Sequence, residues 1–274
     1  MTISLHKQRL CHRRFFKMKR ERLIFVTNDD SFRAKGFAAA IEVAHEFGRV
    51  VAVAPESVQS GKSQAITIYD PLYLEPRHES EGVEIYSLSG TPVDCAKFAF
   101  DHMFRGQKVD LVISGINHGS NAGTNVLYSG TMGAAIEGSF YGCPSVGLSL
   151  TDHDAEADFE AAKHYAREII SWVLNNPAGE NLCLNVNVPN IPLSEIKGMR
   201  ICRQCRGIWL DEFAPMPQQD NKRGYMISGA FSNEEPEAQD TDEWALANGY
   251  VSIVPVQIDM THYKQMEYLE RMIG

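Results

Sequence analysis

Apolar and polar residues fall along this chain in blocks whose lengths separate strands from helices. Leu23-Ile24-Phe25-Val26-Thr27 is a short apolar run that breaks into Asn28-Asp29-Asp30-Ser31, as expected of a buried strand delivering carboxylates at its C-terminal end. From Gly36 to Phe47 the residues Phe37, Ile41, Ala44 and Phe47 share one helical stripe. Gly48 stops it, and Val50-Val51-Ala52-Val53-Ala54 reads as a second strand. The unit is βαβ, which implies a parallel pair joined by a right-handed crossover. Beyond it the spacing predicts strands or a hairpin over Ile66–Leu74 and Val83–Leu88, a helix over Asp94–Phe104 and a buried strand over Val109–Ile113. A polar Gly/Asn/Ser loop follows. A helix over Thr131–Tyr141, a strand over Ser145–Leu150, an amphipathic helix over Ala155–Leu174 and a strand over Leu182–Val188 complete the alternation. It predicts an α/β fold with a doubly wound, mostly parallel, Rossmann-like sheet.

After Met199 the winding stops. Arg200–Ile208 and Tyr225–Phe231 are strand-like, Ser232–Glu243 is rich in acid and contains a proline, and Tyr250–Ile258 and His262–Met272 read as a last strand and helix. The expected organisation is a catalytic domain over residues 21–200 and a C-terminal extension over 201–274, a hairpin or strand plus helix that reaches toward a partner subunit. The acidic stretch reads as a solvated loop.

Composition narrows the function classes. The chain has 274 residues and a formal charge of -9, which argues against gripping a nucleic-acid duplex, since that depends on Lys and Arg displacing counterions. No apolar run approaches the roughly 18 residues needed to cross a bilayer, so no membrane segment is expected. Seven of the 26 Lys and Arg, and no acid, lie within Met1–Arg20. This basic extension lacks the apolar core of a secretory signal and reads as a disordered leader, with a compact start available at Met18. The six cysteines are scattered through a chain too large to need stapling, so reduced thiols and a cytoplasmic location are expected. Cys202-Arg203-Gln204-Cys205 has zinc-ligand spacing but no second pair, and reads as a chance pair.

Three segments carry candidate chemistry, all after strands whose C-terminal ends share one sheet edge. Asp29 and Asp30 are adjacent carboxylates that raise each other's pKa unless a cation neutralises them. A hard divalent metal does so economically, yet on spacing alone they serve equally well as turn and helix-cap residues. Gly61-Lys62-Ser63 invites a P-loop reading, which fails because position 56 is Glu and no helix follows. No G-x-G-x-x-G follows the first strand either. The third segment, Ser114-Gly115-Ile116-Asn117-His118-Gly119-Ser120-Asn121, leads on to Tyr128-Ser129-Gly130-Thr131 at a helix start. Its glycines, amides and hydroxyls compose a phosphate cradle.

Together these motifs, with Val53-Ala54-Pro55-Glu56, Ser60-Gly61, Gly90-Thr91-Pro92-Val93-Asp94, Thr241-Asp242 and Gly249-Tyr250-Val251-Ser252, resemble the SurE survival-protein family of nucleotidases over roughly Leu23 to Thr261. The resemblance implies hydrolysis of nucleoside 5′- and 3′-monophosphates with one divalent metal ion per subunit, Mg2+ or Mn2+, with Ca2+ or another ion as further choices. By motif, Asp29, Asp30, Ser60 and Asn117 would hold the metal. Asn121, Ser129, Gly130 and Thr131 would hold the phosphate, and Asp29 or Asp30 would accept a proton from the attacking water. The resemblance also implies a homodimer or homotetramer with exchanged C-terminal elements. Competing readings are a non-catalytic nucleotide or phosphate sensor, and a phosphatase for polyphosphate or another phosphomonoester. Two residues depart from the family pattern. Ser31 stands where Gly is usual, and His118 stands where a small residue is common and reads as a rim residue without an orienting partner.

Overall fold

A computed structural model describes residues 20–176, 181–218 and 222–273; the basic leader up to residue 19 lies outside the described residues. The elements run β1 (Leu23–Thr27), α1 (Lys35–His45), β2 (Arg49–Pro55), β3 (Leu74–Ser80), β4 (Val83–Leu88), α2 (Pro92–Phe98), β5 (Leu111–His118), α3 (Gly130–Phe140), β6 (Ser145–Leu150), α4 (Glu160–Asn175) and β7 (Cys183–Val188). Then follow β8 (Met199–Ile201), β9 (Gly207–Leu210), β10 (Phe213–Pro215), β11 (Tyr225–Ile227), β12 (Ala230–Asn233), α5 (Asp242–Ala247), β13 (Val251–Pro255) and α6 (Tyr263–Ile273).

Nine strands form one sheet in the order β3-β4-β2-β1-β5-β6-β7-β13-β8. All neighbours are parallel except β3 on β4 and β13 on β7. The central strands are apolar on both faces because both faces are covered, so β1, β6 and β7 are buried from end to end. On one side Phe37 and Ile41 of α1 and Tyr165, Ile169 and Ile170 of α4 pack into the main core. Each such large side chain contributes about 2 kcal/mol by leaving water. On the other side Cys95 and Ala96 of α2 join Phe25 and Val53 in a second core, and α3 packs beside α2.

The chain winds outward from β1 through β2 to β4, then returns to lay β5, β6 and β7 on the other flank. The crevice between the C-terminal ends of β1 and β5 is therefore the switch point where open α/β sheets bind ligands. The main chains meet closely there: a Cβ on Gly36 would stand 1.9 Å from the Ile116 carbonyl oxygen, so only glycine lets α1 approach the end of β5.

Several expected elements differ. Ile66–Leu74 is not a strand. Pro71 interrupts it, Ile68 and Tyr69 face solvent, and Thr67 instead bonds the Asp94 carboxylate through its N–H and hydroxyl. The hairpin is made by β3 and β4. The strand predicted to end at Ile113 runs on to His118, carrying Asn117 within it. The predicted helix over Ala155–Leu174 begins only at Glu160. Nor is the acidic stretch wholly solvated, since Asp242 is fully buried. β13, from the C-terminal segment, lies inside the central sheet between β7 and β8.

Candidate active site

Asp29 and Asp30 leave β1 at the switch point. Asp29 is 4% exposed, and its Oδ1 accepts the Thr131 hydroxyl. Burial pushes its carboxyl up to about 6; the Thr131 hydroxyl opposes the rise and the Asp30 charge adds to it. The N-terminus of α3 abuts it, so that a Cβ on Gly130 would fall 2.9 Å from Asp29 Cβ and 3.0 Å from its Oδ2. Ser31 follows with φ of 81°, a left-handed conformation that glycine adopts freely and serine does not. Its carbonyl is held there by the Asn28 amide at 2.9 Å, and the Phe32 N–H bonds the Pro55 carbonyl at 3.1 Å.

The loop after β2 is tied to the same place. The Gln59 N–H donates to the Asp29 carbonyl at 2.8 Å, one residue before Ser60, which is itself exposed. Ser63 bonds the Tyr128 carbonyl through its N–H at 3.1 Å and the Leu127 carbonyl through its hydroxyl at 2.7 Å. Gly133 of α3 passes so near the Ser63 carbonyl that a Cβ would lie 2.3 Å from its oxygen. Ser60 is thus carried on a loop tied to Asp29 at one end and to the segment leading into α3 at the other.

From β5, Asn117 points its amide nitrogen at the Gly119 carbonyl (2.8 Å). Its Oδ1 accepts from no donor among the described residues. Asn121 is locked more fully: its N–H donates to Asn187 Oδ1 at 2.8 Å, its carbonyl accepts from Asn185 Nδ2 at 2.8 Å, and its own Nδ2 donates to Ser149 Oγ at 2.9 Å. Asn187 in turn donates to Asn185 at 3.0 Å. Ser129 caps α3, its Oγ accepting from the Met132 N–H at 3.0 Å. The structure therefore brings Asp29, Gly130 and Thr131 together, sets Asp30 against His118 next to Asn117, and leaves Asn121 in the loop beyond β5. The hydroxyls of Ser129 and Thr131 are occupied by the helix cap and by Asp29 respectively.

Three features of the site were not foreseen. His118 does have an orienting partner. Its main-chain N–H and ring Nδ1 both meet Asp30 Oδ2, at 3.0 and 3.1 Å, because β5 continues past Asn117 and brings the ring to Asp30. Asp30 and His118 also line a cleft of about 410 Å3 with Arg33, Lys35, His153 and Glu156. The Ser149, Asn185 and Asn187 network lies on β6 and β7, where polar residues inside apolar strands were the available signal. Asp242 accepts from the N–H groups of Gly123, Cys205 and Glu243 at 2.8 to 2.9 Å, tying the loop after Asn121 to the C-terminal segment. Trp209 adds a bond to Asn125 at 2.9 Å.

The donor set fits a hard divalent cation. It offers two carboxylates and an amide oxygen, the oxygen chemistry that Mg2+ and its relatives take, while the Ser60 hydroxyl is carried on the exposed loop after β2. Among the described residues no Lys or Arg pairs with Asp29 or Asp30; the ion-pairing partner of Asp30 is His118. A buried carboxylate beside a second one, with no Lys or Arg paired to either, is a charge arrangement that a cation relieves. No group of three or more His, Cys, Asp or Glu suited to a metal occurs among the described residues, and Cys202 and Cys205 are both buried and free.

Comparison with known proteins gives the family and the fold. The family described as Survival protein SurE matches residues 24–211. A 5′-nucleotidase SurE of Cytophaga hutchinsonii is 46% identical over 91% of this chain and 96% of its own length. That of Bacteroides fragilis is 45% identical over 90% of this chain and 96% of its own. The crystal structure of the SurE protein from Aquifex aeolicus superposes with a TM-score of 0.78 at 33% identity, covering 92% of this chain and all of that one.

Proposed function

This chain belongs to the survival protein SurE family, and from that premise we propose that it is a metal-dependent 5′-nucleotidase. The reaction is hydrolysis of nucleoside 5′-monophosphates, and of 3′-monophosphates, to nucleoside and phosphate. The observation that carries the reading is the Asp29–Asp30 pair at the switch point, one carboxyl buried and pushed up to about 6, with the α3 N-terminus against it and no Lys or Arg ion-paired with either carboxyl among the described residues.

Asp29, Asp30, Asn117 and Ser60 would hold one divalent cation per subunit, Mg2+ or Mn2+, with Ca2+ or another ion as further choices. Bound there, the cation would supply Lewis-acid stabilisation of the phosphoryl oxygens and make water a competent nucleophile near neutral pH. The chain's own residues do the rest. The α3 N-terminus at Gly130 and Thr131 presents its dipole and N–H groups to the phosphate, where an anion is favoured. Asn121, held rigid by Asn185, Asn187 and Ser149, keeps an amide in place for an equatorial oxygen without reorganisation during the reaction. Thr131 fixes Asp29 by its hydroxyl, so that carboxylate, or Asp30, is positioned to take the proton of the attacking water.

The C-terminal segment supports a homodimer or homotetramer. α6 has no buried residue, and Met260, Met272 and Ile273 are mostly exposed. A second chain covering this face by exchange would remove that apolar surface from water. No helix among the described residues is long and apolar enough to cross a membrane, and the five described cysteines are free and buried. The thiols support a reducing, cytoplasmic location. The test is a panel of 5′- and 3′-nucleoside monophosphates, other phosphomonoesters and polyphosphate assayed for phosphate release with Mn2+. Turnover led by the 5′-monophosphates is expected. Turnover of polyphosphate alone, or binding of AMP without release of phosphate, would assign the site to the competing readings.

A further inference from the structure

His118 stands one residue beyond Asn117, at the end of β5, and makes two contacts to a single oxygen. Its main-chain N–H reaches Asp30 Oδ2 at 3.0 Å and its ring Nδ1 reaches the same atom at 3.1 Å. A carboxylate only accepts hydrogen bonds, so the proton in the ring contact is carried on Nδ1. Phe159 meets the ring edge-on, with centroids 5.0 Å apart, and Nε2 is buried without a partner. No other hydrogen bond therefore competes for the orientation of the imidazole. Asp30 Oδ1, by contrast, accepts from no donor among the described residues.

We propose that His118 is a positioning residue for the cation: by clamping Asp30 Oδ2 it fixes the carboxylate's rotation and reserves Oδ1 as the metal-facing oxygen. The inference rests on the reading of Asp29, Asp30, Ser60 and Asn117 as a metal site. Without the ring the carboxylate is held at Oδ2 by the main-chain N–H alone, and more of its ordering falls on cation binding. Partners that orient a ligand in this way are worth about 10–100-fold in metal affinity. The main-chain N–H survives any substitution, so the ring alone accounts for part of that range.

The test measures Mn2+ binding to the full-length protein by calorimetry, with the melting temperature in EDTA recorded for each variant. His118→Ala is expected to raise the Mn2+ dissociation constant about 10-fold. His118→Asn is expected to restore it to within about 3-fold, because its Nδ2 branches from the same carbon position as Nδ1 of histidine. His118→Gln, whose amide sits one bond further out, is not expected to restore it. Once saturated with Mn2+, the Ala variant should recover most of the wild-type rate, with the loss appearing in the metal concentration required. Wild-type affinity in His118→Ala would overturn the proposal, as would equal weakening in Ala and Asn at unchanged melting temperature. Absence of saturable Mn2+ binding to the wild-type protein would instead overturn the metal site itself, and this inference with it.

Discussion

Replacing Asp29 by Asn in metal-free protein removes an ionisation that the fold resists. Burial raises the Asp29 carboxyl from 3.8 to about 6, with Thr131 opposing and Asp30 adding. A folded-state value above the unfolded one means that the native protein keeps this proton longer. Its contribution to stability is therefore lost as pH climbs from the unfolded value through the folded one, and is constant on either side. The displacement corresponds to about 3 kcal/mol, of which about 2 kcal/mol falls between about pH 4.5 and 7.5. Asp29→Asn lacks that slope, and any constant cost of burying the amide cancels when two pH values are compared. Urea unfolding of both proteins in EDTA should show the stability of wild type relative to Asp29→Asn falling by about 2 kcal/mol over that interval. In melting temperature this is roughly 4–8 °C. Saturating Mn2+ at pH 7.5 should return that stability to wild type, since it neutralises the ionised pair, and return little to Asp29→Asn. A pH-independent difference in EDTA, or equal stabilisation of both proteins by Mn2+, would refute the reasoning.

Further substitutions test neighbouring parts of the site. Ser31→Gly relieves a φ of 81° and should stabilise the protein by about 0.5–1 kcal/mol, read by urea unfolding, because the left-handed penalty exceeds the backbone freedom that glycine adds to the unfolded chain. Gly130→Ala puts a methyl group 2.9 Å from Asp29 Cβ; steady-state kinetics should show kcat/KM falling by about 10²-fold, the loss that small displacements of catalytic groups produce. Asp242→Ala leaves the N–H groups of Gly123 and Cys205 unpaired in the interior. It should cost about 2–4 kcal/mol and raise hydrogen exchange across residues 121–127.

The central sheet was legible because its strands are apolar runs of strand length separated by amphipathic stripes. β1, β2 and β6 lie within a residue or two of where the pattern put them. The paired acids were legible for a related reason, since a polar cluster ending a buried strand stands out against its neighbours. Ile66–Leu74 misled because Ile66, Ile68, Tyr69 and Tyr73 face solvent while Leu72 and Leu74 pack against the second core, and hydrophobicity alone does not reveal which side of a loop is covered. The clamp of His118 on Asp30 could not be read from spacing. It joins residues 88 positions apart, and depends on β5 leaving its pairing with β1 at Ser114 and running on to His118 beside β6. Asp242 was hidden differently. Thr241-Asp242 carried part of the resemblance, but the role of Asp242 in tying Gly123 to Cys205 depends on contacts between distant segments that spacing does not show. Ser31 was recognised as a departure, and its positive φ shows that the backbone keeps the turn at the cost of strain.

The most direct test is phosphate release from 5′-AMP by EDTA-treated protein, before and after Mn2+ is restored, for wild type and Asp30→Asn in parallel. Expected are no turnover without metal, full recovery with Mn2+ in the wild type, and a loss of at least about 10²-fold in Asp30→Asn, the scale on which removing a charged group from a phosphoryl-transfer site is felt. Full turnover in EDTA, or wild-type turnover by Asp30→Asn with Mn2+, would contradict the assignment of Asp29 and Asp30 as the centre of a metal-dependent nucleotidase.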